Sequence, residues 1–296
     1  MIRVGLLPDE HVYSAFIRER MLSGQMHINT KRFFEINDMV YHQMHSQLPL
    51  NKDLLSIIRK MALSPEQILH TQLAHTPVSL WLLSTPLCGA EYTMPNHNAL
   101  AGINIDKRWR FCPQCVAADK ALHGVSYWHS AHHLCGAKIC PIHDQILHTH
   151  DELKVLPFTL PHHWLDSAEP MTLQPWEVAW QPFIYRVDKT IKADPLWPNR
   201  VKVQIRRYLD CESQLPLKQT ERKRFDQLAK QMTQDLGQEC MAGLFSSQRL
   251  GRSRQTNIIW ATLSGQVNSA KIRHPLFWLA IIFWLRNELS ECQHLI

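Results

Sequence analysis

Apolar positions recur at helical spacing in several separate stretches of the chain. From Asp9 to Leu22 (DEHVYSAFIRERML), Val12, Phe16 and Ile17 fall near one helical face, acids open the first turn, and Gly24 follows as a stop. A second stretch runs from Asn51 to Leu73, with Leu54, Leu55, Ile58 and Met61 at helical spacing before a break at Ala62 and Leu63. Ser64 then opens another helix: Pro65 suits the first helical position, Gln67 completes a capping box with Ser64, and Leu63 can staple onto Ile68. The pair is compatible with a helix-turn-helix, although its second helix (EQILHTQLAH) carries no Lys or Arg to meet phosphates. Residues 157–200 hold seven prolines together with Trp164, Trp176, Trp180 and Trp197, a composition that excludes long helices and predicts a Pro-rich connector with a domain boundary in it. Beyond it, Val201–Leu209, Glu221–Leu236 and Pro275–Leu289 read as helices.

The expected fold is therefore mainly α. It comprises an N-terminal helical region with a helix-turn-helix-like pair (1–105), a metal-binding module (106–156), the Pro/Trp-rich connector (157–200) and a C-terminal α-helical region (201–296). With 296 residues and 45% apolar content the chain can bury a real core, so disorder is not the default. Its longest apolar run, Leu276 to Leu285 (LFWLAIIFWL), has ten residues. That is short of the roughly 17 to 25 needed to span a membrane, so it reads as a buried helix. No export signal is visible at Met1–Pro8, and the expected compartment is the bacterial cytoplasm. The net charge of +6 mildly favours an acidic partner such as nucleic acid. Candidate phosphate contacts are Arg222, Lys223 and Arg224 in one basic stretch, and Arg249, Arg252 and Arg254 in another.

Eight cysteines in a reducing compartment are more informative as metal ligands than as disulfides. Cys112-x2-Cys115 and Cys140-x2-His143 form two knuckles with 24 residues between them, the arrangement of a zinc ribbon or finger. A two-residue spacer lets both members of a pair reach one ion from a tight turn, and three thiolates with one imidazole suit tetrahedral Zn2+. Four protein ligands leave no open position, so the expected ion is structural. His132, His133 and Cys135 lie between the knuckles and could substitute for a ligand, but without partner spacing they read as ordinary loop residues. His148, His150, His162 and His163 follow at loose spacing; a second ion there is possible, solvated loop histidines the simpler reading. The chain holds no G-x-x-x-x-G-K-[ST], G-x-S-x-G or G-x-G-x-x-G, which excludes the usual phosphate-binding and nucleophile-elbow chemistries. A zinc hydrolase would need an open coordination site and an acid such as Asp119 beside it.

Three stretches resemble the TniQ/TnsD family of transposon target-selection proteins. LLPDEHVYSAFIRERMLSG (Leu6 to Gly24) is similar to the family's opening, in which a helix of the type E-x-x-x-S-x-x-x-R ends near a Gly; Ser14 and Arg18 fall in place. RFCPQCVAADKALHGVSYWHSAHHLCGAKICPIHDQIL resembles its C-P-x-C, aromatic pair (Tyr127, Trp128) and closing C-P-x-H. More loosely, Gly243 to Leu285 is similar to a segment that passes from a basic stretch into an apolar helix. The resemblance implies a non-enzymatic adaptor with one structural zinc on Cys112, Cys115, Cys140 and His143. Such an adaptor links a target, either attachment-site DNA or a CRISPR RNA-guided effector complex, to an AAA+ ATPase regulator of the transposase. Direct sequence-specific DNA binding is the alternative within the family, and a homodimer is left open.

Overall fold

The computed structural model describes residues 4–22, 24, 78–84, 103–104, 106, 108–154, 159–211, 221–245, 257–263 and 274–296. The helix pair expected at 51–73 lies outside them, as do Arg249, Arg252 and Arg254. The described chain is mostly helical with one small sheet, as the periodicity implied. It divides into two compact units, one formed by Met1–Val78 with Asp106–Leu173, the other by Ser79–Ile105 with Gln174–Ile296. The boundary at 173/174 falls inside the Pro/Trp-rich segment.

In the first unit, helix α1 (Val12–Leu22) forms within the expected stretch but starts three residues later, so that Asp9, at φ 55°, and Glu10 precede it rather than opening its first turn, and Gly24 follows it at φ 64°. Ser14, Ala15, Ile17, Arg18 and Glu19 are buried, so the inward face carries polar groups as well as apolar ones. Helix α2 (Pro113–His123) starts at the first knuckle and ends on Gly124, at φ 74°, whose amide bonds back to the Lys120 carbonyl at 3.0 Å. Strands β1 (Arg110–Phe111), β2 (His148–Thr149) and β3 (Glu169–Pro170) pair antiparallel in that order, with Arg110 opposite Thr149 and His148 opposite Pro170. Beside β1 lies an aromatic core. Trp109 and Trp128 are fully buried with ring centroids 5.4 Å apart, and His133 sits 4.6 Å from Trp109.

The second unit is helical: α3 (Pro175–Ala193), α4 (Trp197–Tyr208), α5 (Arg222–Leu236), α6 (Gln238–Leu244), α7 (Ile258–Leu263) and α8 (Leu276–Leu285). The expectation that 157–200 excludes long helices is overturned by the 19 residues of α3. Its prolines are placed where a helix tolerates them. Pro175 occupies the first turn behind a capping box in which the Gln174 amide donates to Glu177 Oε2 at 2.7 Å. Pro182 is exposed, one turn after the exposed Val178, so the carbonyl freed by its missing N–H faces water. Buried Trp180, Phe183, Ile184, Val187 and Ile191 keep a helical stripe through it, and burial of that stripe outweighs the lost bond.

Helix α8 is the buried helix its composition predicts, with Trp284 alone of its ten residues outside the buried set. Phe283 meets Trp180 at 5.1 Å and Phe183 at 4.9 Å between ring centroids. Among the described residues no helix is long and apolar enough to cross a membrane. Helix α4 brings Lys202 and Arg206 inside, where their cations donate to the Leu82 carbonyl at 3.0 Å and the Leu263 carbonyl at 3.2 Å. Leu82 directly follows the helical turn Val78–Trp81 and Leu263 ends α7, so each cation meets a carbonyl at the C-terminal end of a helical segment.

Candidate metal centre

The C-P-x-C knuckle is the start of α2. Cys112 is extended (φ −100°, ψ 125°) at the N-cap, Pro113 takes the first helical position, and Cys115 stands in the first turn, so both sulfurs lie at the positive end of the helix. The second knuckle is a hairpin. Ile139 bridges Ile146, the Cys140 amide donates to the Gln145 carbonyl at 2.7 Å, and Asp144 turns the chain at φ 52°.

The two knuckles converge: one ligand atom from each of Cys112, Cys115, Cys140 and His143 lies within 4.8 Å of all the others. Cys115 Sγ is 3.6 Å from Cys140 Sγ, and His143 Nδ1 is 3.5, 3.3 and 3.7 Å from the sulfurs of Cys112, Cys115 and Cys140. A tetrahedral ion with Zn–S of about 2.3 Å and Zn–N of about 2.0–2.1 Å requires edges of about 3.8 Å between sulfurs and about 3.6 Å from sulfur to nitrogen. The donors therefore stand close to the corners of such a site, and they can hold a metal ion consistent with zinc. Leu147 and Met171 pack with the three cysteines and shield them from water.

Without a cation the three thiols must share protons. Hydrogen bonds from Cys115 and Cys140 pull Cys112 well below the usual thiol range, while the same contacts with Cys112 push Cys115 and Cys140 up. A dication at the centre would let all three ionise together.

The residues between the knuckles are not the ordinary loop residues expected from spacing. His132, His133 and Cys135 are all buried. His132 Nε2 lies 3.8 Å from Cys115 Sγ, and burial holds its pKa well below the usual histidine value. Arg110, which sequence reasoning passed over, fixes this loop. It is buried on β1 and donates from Nε to the His132 carbonyl at 2.6 Å and from Nη2 to the Leu134 carbonyl at 3.2 Å. Of the looser histidines, His148 is on β2, His150 lies tilted 5.3 Å from Trp164 between ring centroids, His162 bonds Ser126 Oγ at 2.8 Å, and His163 lies 4.1 Å from His162 between ring centroids. Asp119 is buried against His129 Nε2 at 3.0 Å.

The opening motif docks on the same module. Ser14 Oγ accepts the Trp128 amide at 3.0 Å, the His11 amide donates to the Trp128 carbonyl at 2.7 Å, and the Ser130 amide donates to the Asp9 carbonyl at 2.7 Å. Arg18 grips Glu10 through both carboxylate oxygens, at 2.8 and 2.6 Å. Glu10, Ser14 and Arg18 thus serve one purpose, holding the N-terminal segment against the loop between the knuckles. Residues 1–147 match the family model TniQ, from the N-terminal segment through both knuckles. The chain therefore carries a TniQ domain. The TniQ domain implies involvement in transposition target selection. No curated protein matches the chain in sequence.

Of the basic residues expected to meet phosphate outside the TniQ domain, three can be placed. Arg222 and Lys223 open α5, with Lys223 exposed. Arg224 is engaged within the protein: its Nη2 donates to the carbonyls of Leu209 and Asp210 at the end of α4, and Nη1 meets the Asp210 carboxylate at 3.3 Å.

Proposed function

We propose that this protein is a zinc-stabilised adaptor in transposition target selection, joining a target to an AAA+ ATPase regulator of the transposase and performing no chemistry itself. The observation that carries the reading is the closed four-donor cluster inside the TniQ domain, with the opening motif bonded onto the loop between its knuckles. In this reading Cys112, Cys115, Cys140 and His143 hold one structural Zn2+, and all four positions of the ion are filled by protein, which leaves none for a hydrolytic water. The ion staples a module whose described strands are only two residues long. The target is attachment-site DNA or a CRISPR RNA-guided effector complex.

Two assays on the metal-loaded full chain test this. Co-sedimentation with the AAA+ regulator of the same transposon, on DNA, is expected for the native chain and lost for Cys112→Ser; absence of any association by the native chain would sink the adaptor reading. Binding to fragmented host DNA at physiological salt, with the recovered fragments sequenced, then separates the targets. Enrichment of one locus marks a direct reader, with Arg222, Lys223, Arg249, Arg252 and Arg254 as candidate phosphate contacts. Folded protein with no enrichment favours docking on an RNA-guided complex.

A further inference from the structure

Each thiolate of a three-cysteine site needs hydrogen-bond donors, because three negative charges on one dication leave excess charge on sulfur. Cys112 receives the backbone amides of Gln114 and Cys115, and Cys140 receives those of Ile142 and His143, the donors that a tight knuckle turns onto its own sulfur. Cys115 is placed differently. It stands in the first turn of α2, where the amides that follow it belong to the helix ladder and point back along the axis. From outside the four-donor cluster, the group that approaches its sulfur is His132 Nε2, 3.8 Å away and on a fully buried ring.

We infer that His132 is the outer-sphere donor of the metal centre, giving its Nε2–H to the Cys115 thiolate in place of the backbone amides that the other two sulfurs receive. The inference rests on the zinc reading of the four-donor cluster. His132 is not itself a ligand, since the cluster whose donor atoms lie within 4.8 Å of one another holds the other four residues. The proton belongs on Nε2 whether the ring is neutral or charged. The opposite nitrogen, Nδ1, is buried with no hydrogen-bond partner. The alternative tautomer would strand a buried N–H there and turn the Nε2 lone pair onto an anionic sulfur. The ring is also held in place: the Arg110 guanidinium bonds the His132 carbonyl at 2.6 Å, and the His129 ring, itself fixed by Asp119 at 3.0 Å, lies 5.0 Å from the His132 ring between centroids. His132 is thus a positioning residue that spreads the charge of Cys115 and ties the ion to the loop on which the N-terminal segment docks.

The test uses the full chain loaded with Co2+, Zn2+ or 113Cd2+. In His132→Phe, which keeps a ring and removes the donor, the sulfur-to-cobalt charge-transfer band is expected at longer wavelength and zinc affinity is expected to fall about 10- to 100-fold, the usual cost of losing an outer-shell partner. His132→Gln, whose amide NH2 reaches the same point, is expected to restore both in part. Long-range 15N NMR of the unmodified chain needs no variant and guards against misfolding. It should show His132 protonated at Nε2, with a scalar coupling from that proton to 113Cd. A folded His132→Phe with an unchanged band and affinity, or an Nδ1–H tautomer in the native chain, overturns the inference while leaving the metal site intact. A native chain that takes up no metal overturns both.

Discussion

Arg18→Met measures what the buried ion pair of the opening motif contributes. The substitution removes three hydrogen bonds: Nε to Glu10 Oε1 at 2.8 Å, Nη2 to Glu10 Oε2 at 2.6 Å, and Nη2 to the Gly5 carbonyl at 2.7 Å. Gly5 is exposed, so water can take over its carbonyl. Glu10 has no such relief. Its side chain is 0% exposed, and the Leu7 amide at 2.9 Å is a poor match for a full negative charge. Stranding one member of a buried pair costs about 3–5 kcal/mol. At about 1.4 kcal/mol per decade, that shifts the local opening equilibrium of α1 by roughly two to three and a half decades. Native-state hydrogen exchange reads it at the α1 amides and at the Trp128 amide, which is bonded to Ser14 Oγ at 3.0 Å. The double variant Glu10→Met with Arg18→Met removes the stranded charge, and apolar replacement of a whole buried pair is often neutral. It should recover most of the protection. Exchange at native rates in Arg18→Met, or a double variant opening as readily as the single one, would refute the reasoning.

Cys112→Ser should abolish stoichiometric zinc in the purified chain, and the near-ultraviolet signal of buried Trp109 and Trp128 should collapse with it; retention of that signal without metal would contradict the zinc reading. Burial, with Arg206 one turn away, pushes Lys202 down to about 7 from 10.5, so the unfolded chain binds more protons than the folded one between those values. Unfolding free energy should therefore rise with pH across that window, and Lys202→Met, which buries no ammonium, should flatten the slope in urea titrations at pH 7 and 9. A Cβ on Gly243 would stand 2.4 Å from Trp176 Cζ2, so Gly243→Ala should destabilise by about 1–3 kcal/mol despite its better helix propensity. Pairing it with Trp176→Leu should return most of that in a thermal melt. Arg224→Ala should lower the melting temperature by releasing the end of α4, whereas Lys223→Ala should leave it unchanged. If Lys223 meets DNA phosphate, its removal should reduce the salt slope of binding by about one unit.

Much of the local order was legible along the chain. The placement of α1, α5 and α8, and of α4 from Val201 onward, follows from apolar spacing, and the burial of α8 from a run too apolar to face water and too short to span a membrane. The four metal-site residues were legible because a two-residue spacer is a local constraint: each knuckle must turn within four residues, whatever surrounds it. The Glu10, Ser14, Arg18 spacing was visible as a pattern. That its purpose is to hold α1 onto Trp128 was not, since the partner lies 114 positions away.

What tertiary structure alone decided depends on burial and on contacts between distant positions. Seven prolines argued against helix in 157–200, yet whether a proline breaks a helix depends on which way the freed carbonyl faces, and Pro182 sits on the solvent side of α3. Arg110 and His132 carried no spacing signal because each acts through a partner elsewhere in the chain, a carbonyl for one and a sulfur for the other. Arg224 belonged by composition to a basic stretch, and only the approach of α4 engaged it with the Leu209 and Asp210 carbonyls. Periodicity and short-range chelating pairs are written within a few residues of sequence. The burial of a cation or a histidine is settled by the elements that close over it.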